Sequence, residues 1–111
     1  MNELLLIGVF IGNLTLTSYR SVPEQTDDSP FWTSIGERVN NHGVAVSQDL
    51  LASGKVRYGD TLYIEGQGFK VVNDCMNKRL KNSVDVWVET LPEEHAVGKR
   101  KAKVWLVKRK L

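Results

Sequence analysis

Val84, Val86 and Val88 alternate with Asp85, Trp87 and Glu89, a pattern that suits a strand and not a helix. A period of two is a strand's period, so the valines line one face and Asp85 projects from the other. Aspartate is depleted in strands and costly to bury without a partner. Packing alone therefore gives no reason for its place here. A second β-type run, Phe69 to Asn73, ends beside Asp74, and the polar, basic segment Cys75 to Ser83 joins the two runs. A solvated strand residue at 85 and a turn-opening aspartate at 74 are the plain structural alternatives.

Strand signals dominate the rest of the chain. Leu4 to Ile11 is apolar for eight residues, too short to span a bilayer, and is expected to be a buried first strand. Alternation continues through Leu14 to Tyr19, and Pro23 to Pro30 reads as an irregular loop. Phe31 to Ile35 is short and aromatic, and Val44 to Val46 predicts a very short strand. Ser47 is placed to cap a helical turn over the residues that follow. Asp60 to Gly66 predicts another strand, and the Thr90 to Glu93 spacing is that of a capping box opening a short helix. Several short strands with two brief helices in 111 residues point to a single all-β domain, residues 1–111, built as a small closed barrel.

Composition narrows the function classes. With 41% hydrophobic and 25% charged residues, the chain has the balance of an ordinary globular domain. One cysteine excludes an internal disulfide and a cysteine-cluster metal site, and His42 and His95 lack ligand spacing, so no metal or other cofactor is expected. The net charge of +2 does not by itself indicate nucleic acid, yet seven of the fifteen basic residues lie between Lys99 and Lys110. That end reads either as a terminal edge strand guarded by lysines or as a cationic surface for a polyanion. Nucleic acid is the less favoured partner, because only Trp105 is aromatic within the basic stretch.

The ordered motifs resemble the three-aspartate, or 3D, domain, a six-stranded double-psi β-barrel family related to lytic transglycosylase A. The resemblance runs from about Thr17 to Val107. Thr17-Ser18-Tyr19 stands where the family has Thr-x-Tyr, and Thr33-Ser34-Ile35-Gly36 matches the ends of a Thr-Ala-Ser-Gly segment. Ala45-Val46-Ser47-Gln48-Asp49 resembles the short segment that carries the first aspartate. Gly59 to Gly66 resembles a Gly-x-x-Val-Tyr-Ile-x-Gly strand, and Asp74 and Asp85 reproduce the eleven-residue interval between the second and third aspartates. Cys75 and Met76 replace the usual threonine and glycine, and Ser83 stands where a basic residue is common.

The resemblance implies a peptidoglycan lytic transglycosylase, active without a metal at the cell wall or in the periplasm. Such an enzyme uses the muramyl 6-hydroxyl as the nucleophile, so one carboxyl group can serve as acid and then base. Asp85 is assigned that role, with Asp74 and Asp49 as the neighbouring carboxylates that would raise its pKa. Thr17, Tyr19 and Thr33 are candidate hydrogen-bond donors to sugar or carboxylate. Lys78, Arg79 and Lys81 are either a solvated loop or a basic flank meeting the carboxylates of the wall peptide. Glycan strands are the expected partner, with no membrane. No basic leader precedes the first apolar run, which suits a phage-encoded protein or one whose export signal was removed. A glycan-binding barrel without catalysis is the alternative of a different class.

Overall fold

The computed structural model describes residues 6–21 and 32–109. The proline-containing loop after Tyr19 and the start of the first apolar run lie outside these residues. Six strands and two helices follow in the order β1 (Leu6–Tyr19), β2 (Gly43–Val46), α1 (Gln48–Ala52), β3 (Thr61–Ile64), β4 (Gly68–Cys75), β5 (Ser83–Trp87), α2 (Leu91–Val97) and β6 (Arg100–Arg109). The strands close into a mixed barrel in the order β1-β5-β2-β4-β3-β6. The all-β barrel expected from the strand pattern is the observed architecture.

Alternation builds the interior. Leu14 and Leu16 of β1, Val44 and Val46 of β2, Leu62 and Ile64 of β3, and Val84 and Val86 of β5 all point into one core. Two pairings, β1 with β5 and β2 with β4, are parallel. Those strands meet through chain crossovers that no local sequence pattern specifies.

Two expectations about the termini are corrected. The described part of the first apolar run, from Leu6, forms a strand, but Val9 and Phe10 are exposed. A bulge between Phe10 and Gly12 shifts the register against β6, and Gly12, with φ 140°, takes a backbone conformation that few other residues tolerate. The last strand is not an edge: β6 pairs with β1 on one side and β3 on the other. Barrel closure pairs Val104 to Val107 on both flanks, whereas Lys101 and Lys108, toward the two ends of the strand, pair with β1 alone.

The helices also divide. Thr90 caps α2 in a complete capping box, its side chain accepting from the Glu93 amide while the Glu93 carboxylate accepts from Thr90. Ser47 sits at the cap position of α1 but makes no side-chain cap bond. Its Oγ instead accepts from the Ser83 amide at 3.0 Å, pinning the start of β5 to the end of β2.

Candidate functional site

Strand register assembles the site on the outer face of the barrel. Thr17 lies opposite Asp85 in the parallel β1–β5 pair. Ala45 lies opposite Asp85 on one side and Asp74 on the other. The row across four strands is therefore Thr17, Asp85, Ala45, Asp74, with the two aspartates roughly 10 Å apart at Cα, two sheet spacings.

Asp74 reaches this row through a bulge. Val44 pairs with Val72, but Ala45 pairs with Asp74, so Asn73 is skipped. Uninterrupted pairing would set Asn73 opposite Ala45 and turn Asp74 toward the valine side; the extra residue re-aims the carboxylate. The Asn73 side chain is buried against Gly43, where a Cβ would lie 2.5 Å from Asn73 Nδ2. Glycine at 43 therefore makes the room that the bulge needs.

Thr17 Oγ1 donates to Asp85 Oδ1 at 2.8 Å. Burial pushes the Asp85 carboxyl up, the Thr17 hydroxyl opposes this, and the negative charges of Asp74 and Glu94 add to the rise, leaving a pKa of about 6. Burial also raises the Tyr19 phenol well above its ordinary value, reinforced by Asp74 and Asp85. Tyr19 thus presents a neutral hydroxyl beside the carboxylates. Asp74 Oδ1 accepts two backbone amides, from Ser34 at 2.9 Å and from Cys75 at 2.8 Å, which fixes its orientation.

Thr33 serves the loop rather than the carboxylates. Its amide donates to the Glu37 carbonyl, and its Oγ1 accepts from the Glu37 amide, closing the turn that delivers Ser34 to Asp74. Ser34 Oγ in turn lies 3.1 Å from the Tyr58 hydroxyl. Ser34, Tyr58 and Glu94 were not singled out from the sequence. Glu94 is held by Arg20, Nε to Oε1 at 3.0 Å, and comes from the acidic first turn of α2. The capping box marked that turn, but nothing local marked its approach to β1.

Asp49 is placed elsewhere. Its carboxylate accepts from the Asn82 amide, at 3.1 Å to Oδ2, where Asn82 takes a positive φ of 47° ahead of β5. Burial nudges its pKa up, but the Ser47 hydroxyl, the Asn82 amide and Lys81 outweigh this and hold it low. Asp49 thus belongs to the turn that launches β5. Lys78 and Arg79 are exposed in the loop after β4, where the Arg79 amide donates to Asn77 Oδ1.

The site therefore combines a half-protonated carboxyl near pH 6, a second oriented carboxylate, and neutral hydroxyls. That set can donate a proton to a leaving oxygen and then accept one from an incoming hydroxyl. No protein-family model matches the sequence, and no curated protein shows significant similarity to it.

Proposed function

We propose that this barrel is a 3D-type lytic transglycosylase of peptidoglycan, with Asp85 as its general acid and base. The observation that carries the reading is the Asp85 carboxyl, raised to about 6 on a rigid strand and held by Thr17. A general acid must carry its proton at the working pH, and a pKa in this range meets that need. The order of the Thr17, Asp74 and Asp85 motifs supports the same family.

In the proposed reaction Asp85 protonates the oxygen that links muramyl C1 to the next sugar, and that C1–O bond breaks. The Asp85 carboxylate then takes the proton of the muramyl 6-hydroxyl as its oxygen bonds to C1. The net change moves one proton between two sugar oxygens, and water is not consumed. Asp74 keeps negative potential near Asp85, and Tyr19 is a neutral donor for a sugar oxygen. An ordinary glycosidase would need a second carboxylate as base or nucleophile.

Digestion of purified peptidoglycan, followed by mass analysis of the released muropeptides, tests the proposal. Fragments ending in 1,6-anhydro-N-acetylmuramic acid are expected. Reducing ends alone would make water the nucleophile and Asp74 a candidate base. Wall binding with no soluble fragments would leave a glycan-binding barrel.

A further inference from the structure

On the side of the barrel that the aspartates do not occupy, four aromatic rings form a row across four consecutive strands. Phe10 of β1 is opposite Trp105 of β6, Trp105 is opposite Tyr63 of β3, and Tyr63 is opposite Phe69 of β4. Neighbouring rings meet at centroid distances of 5.5, 5.8 and 5.0 Å, edge-to-face or tilted. Phe10 is 50% and Phe69 55% exposed, although burying such rings is strongly favourable. Only Trp105 was foreseeable as an aromatic partner for the basic strand. Register supplies the other three.

The flanks of the row indicate what it takes. On one side lies a polar row in register: Asn13 opposite Lys103, with Glu65 Oε1 accepting from the Lys103 amide. On the other side Gly8, Val107, Thr61 and Val71 form a low row of smaller side chains. The result is a narrow band, one ring tall, with hydrogen-bonding groups along one edge and smaller side chains along the other.

We infer that this aromatic band is a glycan-binding surface, separate from the Asp85 site, that takes a β-linked pyranose chain. A pyranose offers an apolar C–H face and an edge of hydroxyls, which matches rings beside Asn13, Lys103 and Glu65. A phosphodiester chain fits less well, because the Glu65 carboxylate stands in the polar row and Lys101 Nζ donates to Thr15 Oγ1. The inference does not depend on the cleavage proposed above, since binding is read without it. Within a wall of many parallel glycans, a second contact would hold the protein on its substrate by effective concentration.

The test is an NMR titration of the full chain with the soluble β-1,4 pentamer of N-acetylglucosamine, together with co-sedimentation with insoluble peptidoglycan. Expected are shifts at the Trp105 indole and Tyr63, and at least about a ten-fold loss of affinity in Phe10→Ser/Phe69→Ser, the cost of losing a hot-spot contact. Both phenylalanines are half exposed and each packs on a neighbouring ring, so the melt is measured alongside, and Phe10→Leu/Phe69→Leu, which keeps the apolar bulk and removes the rings, reads the same loss if the serine variant does not fold. Shifts confined to the residues around Asp85, or undiminished affinity in the folded variant, would overturn the inference. So would shifts of these rings with single-stranded DNA but not with the pentamer, or a concentration-dependent dimer that the variant abolishes. Absence of muropeptide release from the parent protein would count against the proposed catalysis and leave this surface standing.

Discussion

Thr17 Oγ1 donates to Asp85 Oδ1 across the parallel pair β1 and β5, and among the influences on Asp85 it is the one that favours the charged form. Burial, Asp74 and Glu94 all act the other way. The rate of the proposed wall cleavage should therefore fall as pH rises through about 6, where Asp85 loses its proton. Thr17→Val removes the opposing bond and should move the fall to higher pH. A pH–rate profile of both proteins checks this, and an unmoved midpoint in the variant would assign the limb to another group.

Asp85→Asn should lower muropeptide release by about a hundred-fold or more, the usual contribution of a positioned acid and base. Circular dichroism establishes that the variant is folded. More than about a tenth of parental activity in a folded variant would place the acid elsewhere.

The same substitution should stabilise the fold at neutral pH. Asp85 has its pKa raised from the ordinary 3.8 to about 6, so the native state prefers the protonated form. Below about pH 4 both states are protonated and no penalty applies. Between about 4 and 6 the unfolded chain loses the proton first and stability declines, and above 6 the full penalty, at most about 3 kcal/mol, is in force. Denaturant unfolding should find Asp85→Asn more stable than the parent at pH 7.5 and nearly equal at pH 4. Equal stability at both values would mean that Asp85 is not strained by its surroundings.

Asp49→Ala should cost about 1–3 kcal/mol, the loss of an ionised acceptor for the Asn82 amide and the Ser47 hydroxyl, and leave the anhydro product and its rate near parental values. Unfolding and product analysis on one preparation read both. A loss of activity comparable with that of Asp85→Asn would return Asp49 to the catalytic group.

Gly43→Ala should destabilise the protein by about 1–3 kcal/mol, as overpacking does. The new Cβ would lie 2.5 to 2.8 Å from three atoms of the buried Asn73 side chain. Asn73→Gly added to it should restore part of the loss, because the two positions share one space. Unfolding of the single and double variants measures the coupling, and a single variant as stable as the parent would mean that Asn73 has another place to go.

The sequence by itself determined the local geometry. The valines at 84, 86 and 88 face the core and Asp85 does not, because a strand's two-residue period is a property of one backbone. The capping box at Thr90 and Glu93 was legible for the same reason: both partners lie within one helical turn. From these and the strand count the all-β barrel followed.

Only the tertiary structure decided which distant residues meet. Asp74 joins Asp85 through a bulge at Asn73, Asp49 turns to Asn82, Glu94 returns from α2, and Phe10 completes an exposed row of rings. Each depends on the register between strands far apart in the chain. Register is set jointly by barrel closure, bulges and core packing, and a slip of one residue reverses every side chain on a strand.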